Sequence, residues 1–507
     1  MTSPHPAHQL TVRRLGVDTY REAVVFMRSD CAVCRSEGFE ALSRVTVTVG
    51  ERSILATLNV VHGDLLDHHT AGLSEAAWLQ LRAHEGDLAT FSHAPPVESF
   101  GLVRGKLYGA RFDDDDLLAV VRDIAAHRYT DVQLAAFVSA CAERMDDGEI
   151  VALTRAMLQT GDRLRWEAPV VVDKHCVGGL PGNRTTPIVV AIVVANGLVM
   201  PKTSSRAITS PAGTADTMEQ LAPVDLDLPA LRRVVADEGG CVAWGGSVQL
   251  SPADDVLIRV ERALDIDTEG QLVASVLSKK AAAGSTHVLI DIPTGPTAKV
   301  RTDEDAARLA RLLRHVGAAL GLTLEVIISD GTAPVGRGIG PALEARDVLA
   351  VLQRDPSAPL DLRERALDLA GPLLELGKAA AEGAGRALAV ETLDSGAAWT
   401  KFQAICTAQG GIRVPGRAPH VELVTAPISG VVAGFDSRKL SRAAKLAGAP
   451  GAPTAGIRLR VARGDAVAAG GPLYELHAES VGELRYALDF VADHPEIVAV
   501  APRKEAP

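Results

Sequence analysis

Hydrophobic and polar positions alternate in short runs from about residue 10 to 95, as in Val45-Thr46-Val47-Thr48-Val49 and Ser53-Ile54-Leu55-Ala56-Thr57-Leu58-Asn59-Val60-Val61. A period of two marks strands with one buried face, so residues 1–97 are expected to form a small β-rich domain. Pro95-Pro96 breaks the alternation, and from Asp113 the spacing becomes helical, with Leu117, Leu118, Val121, Ile124 and Ala125 on one face. Thr130-Asp131 opens a second amphipathic helix carrying Leu134, Phe137, Val138 and Cys141. Asp147 opens a third carrying Ile150, Leu153, Met157 and Leu158. An α-helical domain over residues 98–167 follows from this periodicity.

From Pro169 short Val-rich strands (Val170 to Val172, Val199 to Pro201, Val242 to Ala243, Val288 to Ile292, Leu324 to Ile328) alternate with helical stretches. That alternation predicts a mostly parallel sheet covered by helices, with ligands at the C-terminal ends of the strands. We assign it to an α/β domain over 168–420, with the helical text of 254–284 packing back on the helical domain. Gly-punctuated β text beyond Val421 predicts a C-terminal α+β domain over 421–507. The expected fold class is therefore α/β and multidomain: a small β-rich N-terminal domain, an α-helical domain, a large mixed or parallel-sheet α/β domain and a C-terminal α+β domain.

Composition narrows the function classes. The chain has 507 residues, 47% hydrophobic and 23% charged, with 52 Lys+Arg against 63 Asp+Glu and a net charge of -11. An acidic surface excludes nucleic acid and anionic membranes as main partners, since both need a basic footprint, so an anionic substrate must be attracted locally. The start from Met1 to Leu10 lacks a cationic segment followed by an apolar core, and a cytoplasmic protein is expected. The run Ile188 to Met200 is shorter than the roughly 20 residues that cross a bilayer and is expected to be a core helix. Cys31-Ala32-Val33-Cys34 has no second pair at metal spacing, and no metal or other cofactor is expected.

Candidate chemistry concentrates between Asp173 and Glu219. Asp173-Lys174-His175-Cys176-Val177-Gly178-Gly179-Leu180-Pro181-Gly182-Asn183-Arg184-Thr185-Thr186 and Lys202-Thr203-Ser204-Ser205-Arg206-Ala207-Ile208-Thr209-Ser210-Pro211-Ala212-Gly213-Thr214-Ala215-Asp216 flank one apolar run. Glycine-freed backbone amides, hydroxyls and a helix N-terminus make a phosphate cradle, to which Lys174, Ser204, Ser205, Arg206, Thr209 and Thr214 add charge and donors. A second cluster pairs Arg259 with Arg262, three apart, and Ser275 with Lys279, four apart, on helical faces. Asp267 lies between those helices, where a carboxylate either caps the next helix or, if partly buried, donates a proton. Asp330-Gly331-Thr332 with Gly336, Gly338 and Gly340 lacks the full dinucleotide spacing and reads as at most a ligand-adjacent loop. Asp113 to Asp116 reads as a solvated helix start that complements the dipole.

The Asp-Lys-His-x-x-Gly-Gly loop, the Ser-Ser-Arg-Ala-Ile-Thr-Ser-x-Ala-Gly-Thr-Ala-Asp loop and the Ser-Val-Leu-Ser-Lys-Lys helix together resemble the thymidine and pyrimidine nucleoside phosphorylase family, from about residue 100 onward. The resemblance implies a homodimeric pentosyltransferase in which inorganic phosphate attacks the anomeric carbon of a nucleoside, releasing base and a pentose 1-phosphate. It implies phosphate contacts at Lys174, Ser204 and Thr214, and at Cys176 where members commonly have Ser, a stronger donor. It implies base contacts at His175, Arg262, Ser275 and Lys279. The N-terminal extension and the Pro-Gly-Asn insertion after Gly179 resemble the long branch that includes archaeal AMP phosphorylases. By that likeness Gly179, Ser205, Arg206, Ala207, Ile208, Thr209, Ser210, Thr214, Ser275 and Lys299 contact nucleotide, and Asp267 donates a proton to the base. The substrate is then a nucleoside or a nucleoside 5'-monophosphate. A magnesium- and pyrophosphate-using phosphoribosyltransferase and a non-catalytic nucleotide sensor are the rival classes.

Overall fold

The computed structural model describes residues 9–502, except 21, 208, 209, 249 and 267 and the side chains of Glu143 and Arg144. The chain divides into two compact units, one running to Arg104 and including Asp123–Gln133, the other comprising Gly105–Arg122 and Leu134 onward.

In the first unit the alternating text closes into a barrel. Strands β1 (Gln9–Arg14), β2 (Val24–Arg28), β3 (Arg44–Val49), β4 (Arg52–Val61), β5 (Thr70–Leu73) and β6 (Leu88–His93) follow the order β1-β5-β2-β4-β3-β6, and β1 pairs with β6 to seal it. Val45 and Val47 point inward with Val12, Val25, Met27, Leu58 and Phe91, as a period of two requires. Helices α1 (Ala32–Glu37) and α2 (Glu75–Leu81) cover the barrel text between strands. Cys31 caps α1, its sulfur accepting from the Cys34 amide at 3.2 Å, and both cysteines belong to the barrel's hydrophobic cluster.

The chain continues through α3 (Phe100–Leu107), α4 (Asp114–Ala125), α5 (Asp131–Arg144) and α6 (Asp147–Thr160). Asp113 Oδ1 accepts the Asp116 amide at 2.8 Å, so the Asp run begins α4 as a cap. In the second unit β7 (Val172–Cys176), β8 (Met200–Ser204), β9 (Gly240–Trp244), β10 (His287–Thr294) and β11 (Thr323–Asp330) pair in parallel as β11-β10-β7 and β8-β9. A parallel bridge between Val171 and Val199 joins the two groups. The connecting helices are α7 (Thr186–Ala195), α8 (Thr214–Glu219), α9 (Leu228–Glu238), α10 (Pro252–Leu264), α11 (Glu269–Ala282) and α12 (Asp303–Ala319).

Two strands run further than the apolar text suggested. The sequence placed Asp173 to Cys176 in a loop, but β7 continues through them, Asp173 opposite Val288 and Cys176 opposite Asp291. Polar side chains extend a buried strand here because they find buried partners, described below. Helix α7 is apolar on every side and buried from Thr186 to Val194, sharing a cluster with α14 (Leu360–Leu376) and α16 (Ala397–Ala408) through Leu367, Ala398 and Phe402. Each of its Val and Ile side chains contributes about 1.5–3 kcal/mol relative to exposure. Helices α13 (Pro341–Leu352) and α15 (Gly385–Asp394) complete this layer. Helix α11 packs on α6, where Ile150 and Val151 meet Val273, Val276 and Leu277.

The C-terminal text forms two antiparallel sheets. One contains β12 (Gly338–Ile339), β15 (Gly456–Leu459), β17 (Pro472–Ala478) and β13 (His420–Thr425). The other contains β16 (Ala466–Val467), β14 (Gly430–Phe435) and β18 (Val498–Ala501). Helices α17 (Ser437–Leu446) and α18 (Val481–Asp493) pack on them. The glycines around 338 serve this docking: a Cβ on Gly340 would sit 2.3 Å from the Ala455 carbonyl oxygen. Among the described residues no helix is long and apolar enough to cross a membrane.

Candidate active site

The site begins at the C-terminal end of β7, where successive side chains face opposite sides of the sheet. Asp173 is 1% exposed and gathers two ammonium groups, Lys280 Nζ at 2.7 Å and Lys202 Nζ at 3.3 Å, with Ser285 Oγ at 3.5 Å. Burial alone would raise the Asp173 pKa, but the two lysines outweigh it and hold the carboxyl below its ordinary value. Lys174 is equally buried yet has no carboxylate within ion-pair distance among the described residues; its Nζ donates to Thr185 Oγ1 at 2.7 Å. Burial pushes its pKa down, against the pull of the Cys176 and Asp291 side chains. An ammonium buried without a counter-ion is costly unless an anion arrives.

His175 is partly buried beside this cluster. Burial first, then the ammonium groups of Lys280, Lys202, Lys174 and Lys279, hold its pKa well below 6.5, so the imidazole is neutral at physiological pH. Cys176 is pushed up to about 11, by burial and by Asp291, and keeps its thiol proton. Asp291 is held by Arg365 Nη2 at 3.2 Å and by a short hydrogen bond from Ser329.

The loop after β7 is clamped by its glycines. Gly179, at φ +84°, lies so close to Lys299 that a Cβ would fall 2.3 Å from the Lys299 amide nitrogen, which brings those two predicted residues together. Gly182 packs on Val335, and the Asn183 amide donates to the Val335 carbonyl at 2.9 Å. Arg184 then reaches across to the second loop. It donates to Thr214 Oγ1 at 2.8 Å and to the Ala212 carbonyl at 2.9 Å, while Glu344 holds its Nε at 2.7 Å. The two cradle segments therefore meet in space.

The second loop leaves β8 at Ser204 and enters α8 at Thr214, whose N-cap is Gly213. Arg206 is turned onto its own loop: its guanidinium meets Glu219 at 2.5 and 3.0 Å and Asp216 at 3.3 Å, and lies 5.0 Å from the Trp244 ring centroid. The Ala207 amide donates to Asp216 Oδ2 at 2.6 Å, and Ser210 Oγ donates to the Ala212 carbonyl at 2.9 Å. These three predicted contacts shape the loop in this state. Ser204 ends the strand and Ser205 begins the loop, whereas predicted residues Ile208 and Thr209 lie outside the described residues.

Of the base-side candidates, Ser275 and Lys279 lie on α11, from which Lys279 acts electrostatically on His175, and the exposed Arg262 lies on α10. Lys279 Nζ is paired with the buried Asp254 Oδ2 at 2.5 Å. Burial would lower the Lys279 pKa, but Asp254 raises it above the ordinary value. Burial, Arg262 and Arg442 together lower the pKa of Lys445 on α17. Asp267 lies outside the described residues, and Thr268 is the N-cap of α11, its hydroxyl accepting the Gln271 amide at 3.3 Å.

Sequence reasoning missed Thr185, Arg184, Glu344, Asp291 and Asp254. Thr185 and Arg184 stood inside the quoted loop, but nothing in spacing links position 173, 176 or 279 to 280, 291 or 254. An acidic hollow of about 540 Å³ at the starts of α4 and α6, lined by Asp113, Asp114, Asp115 and Asp146, contains none of the cradle residues.

Known proteins align with this arrangement. Residues 101–161 match the helical bundle domain of the glycosyl transferase family, and residues 168–399 match that family's a/b domain. A protein of Polaromonas sp. (strain JS666) named "Putative thymidine phosphorylase" is 61% identical over 97% of both chains. A namesake from Hahella chejuensis is 60% identical, again over 97% of both. Among solved structures, anthranilate phosphoribosyltransferase from Thermus thermophilus superposes with a TM-score of 0.50 at 21% identity, covering 61% of this chain and 98% of that one. That likeness concerns the fold. With its helical bundle, its α/β domain and relatives near 60% identity over almost its whole length, the chain belongs to the glycosyl transferase family that includes the thymidine phosphorylases.

Proposed function

We propose that this chain is a phosphorolytic pentosyltransferase, in which inorganic phosphate attacks the anomeric carbon of a nucleoside or a nucleoside 5'-monophosphate to release the free base. The observation that carries the reading is Lys174, a buried ammonium on β7 that has no carboxylate within ion-pair distance among the described residues and donates to the Thr185 hydroxyl instead. A phosphate dianion would supply the missing charge, with Thr214 and Ser204 completing the cradle. As the glycosidic bond lengthens, positive charge grows on the sugar and negative charge on the base, so phosphate below and donors around the base both bind the transition state best. Arg262, Ser275 and Lys279 are the base-side donors in this proposal. A neutral His175 serves as a hydrogen-bonding partner, not as a charge.

Asp267 is assigned as the proton donor to the departing base. Thr268 already caps α11, so the capping role does not require Asp267. A carboxylic acid suits a purine ring nitrogen, and this favours a nucleotide of the AMP type alongside thymidine-type substrates. A cytoplasmic homodimer is the expected form.

The test is phosphate-dependent base release from AMP, CMP, UMP, uridine and thymidine. Release from at least one supports the reading, and silence from all five removes it. Asp267→Asn should abolish most turnover of a purine nucleotide, and near-normal activity would remove that assignment. Activity lost to a chelator would favour the phosphoribosyltransferase class.

A further inference from the structure

The Pro-Gly-Asn insertion places an asparagine against the one cradle residue that is chemically weak. Asn183 sits at φ +52°, a left-handed conformation that asparagine tolerates, with its amide held by the Val335 carbonyl at 2.9 Å. Its Nδ2 lies 3.3 Å from Cys176 Sγ, while its Oδ1 is buried with no hydrogen-bond partner. Cys176 follows Lys174 by two positions on β7 and therefore shares its face of the sheet, and Thr185, two residues beyond Asn183, takes the Lys174 ammonium. The side chains of 174, 176, 183 and 185 thus surround one small space.

The hydrogen-bond inventory there favours the opposite orientation of the amide. Burial keeps the Cys176 thiol protonated, so its hydrogen needs an acceptor, while the buried Asn183 Oδ1 needs a donor. Turning the Asn183 amide about its terminal bond presents Oδ1 to the Cys176 S–H and satisfies both groups. The two ends of an amide are nearly the same shape, so the exchange needs no further room. The turned Nδ2 then takes the buried place that the unpartnered Oδ1 held, two residues before Thr185, which accepts from Lys174.

We propose that Asn183 is a phosphate-binding residue, whose oxygen accepts the Cys176 thiol and whose amide nitrogen donates to inorganic phosphate, supplying the strong donor that the thiol lacks. The insertion and the cysteine then work as a pair. This rests on the phosphorolytic reading above.

Two variants test it. Asn183→Gly keeps the left-handed backbone and removes the amide; Asn183→Asp keeps the shape and replaces the donor with a charge that repels phosphate. Both should raise the KM for phosphate, by about ten- to a hundredfold and most in the Asp variant, while the KM of the nucleoside or nucleotide stays within about twofold. Cys176→Ser, which returns a hydroxyl donor, should recover part of the loss in Asn183→Gly. An unchanged phosphate KM in Asn183→Gly, or an equal rise in both KM values, would overturn the proposal. Calorimetric titration of the same proteins with inorganic phosphate reads the affinity without turnover. If no substrate releases base, the phosphorolytic reading fails, and equal phosphate affinity of wild type and Asn183→Gly would separately overturn the role of Asn183.

Discussion

The two walls of the candidate site are built on opposite electrostatic plans. At the proposed phosphate wall, Lys174 is buried and, among the described residues, donates only to a hydroxyl, while neighbouring Asp173 absorbs both Lys202 and Lys280. At the proposed base wall, Lys279 is 30% exposed and already satisfied by Asp254, and Arg262 is exposed. A buried charge with no carboxylate in contact binds its ligand strongly because the free state is unfavourable. An exposed guanidinium such as that of Arg262 can be re-aimed at modest cost, whereas moving Lys279 would strand the buried Asp254 carboxylate. Under the proposed function, the difference assigns phosphate affinity to the buried Lys174 and base selectivity to the side chains of α10 and α11.

The sharpest way to break this contrast is Lys174→Met, which should lower kcat/KM for phosphate by about a hundred- to a thousandfold in steady-state assays. The wild-type protein should also lose phosphate affinity on the alkaline side earlier than an ordinary lysine would, because burial holds Lys174 below 10.5 and its deprotonated form carries no charge for phosphate. Next in size, Gly179→Ala forces a Cβ onto the Lys299 amide at a positive φ, and should destabilise the protein by about 1–3 kcal/mol in denaturant titrations. Asp254→Asn tests the base wall alone: freeing Lys279 should change the nucleoside or nucleotide KM by about tenfold and leave phosphate KM unaltered. Arg206→Ala should cost about 1 kcal/mol or less of stability, since its contacts shape the partly exposed second loop.

The smallest expected effect concerns pH and His175. Its folded pKa is held below 6.5, so beneath that pH the unfolded chain takes up a proton that the folded chain refuses. Stability should therefore fall as pH drops from 6.5 toward the folded value and show no contribution from His175 above it. Melting temperatures between pH 5 and 7.5 measure this, and His175→Asn should flatten the slope.

Much of the fold was legible because its periodicities are local. The alternation at Val45 to Val49 became a barrel strand, the face of Leu117, Val121 and Ile124 became α4, and the all-apolar run after Pro187 became the buried α7. The ends of β7 and β8 were harder to read. Asp173 and Lys174 look like loop residues in a list of propensities, and they are strand residues because Lys280, Lys202 and Thr185 satisfy them. Of the glycines from 336 to 340, Gly338 pairs with Arg458 and Gly340 packs on Ala455, both more than a hundred residues away in the chain, while Gly336 lies against Asp347.

The sequence by itself determined the order of elements, the two facing loops and the motifs that mark the family, since each depends on residues close together in the chain. Only the tertiary structure decided which charges remain available. Arg206 turned inward to Glu219 and Asp216, Lys279 went to Asp254, Lys202 and Lys280 went to Asp173, and Lys174 was left without a carboxylate contact among the described residues. The reason is physical: an ammonium's readiness to bind an anion depends on its burial and on what lies within a few ångströms, and both come from segments far apart in the sequence.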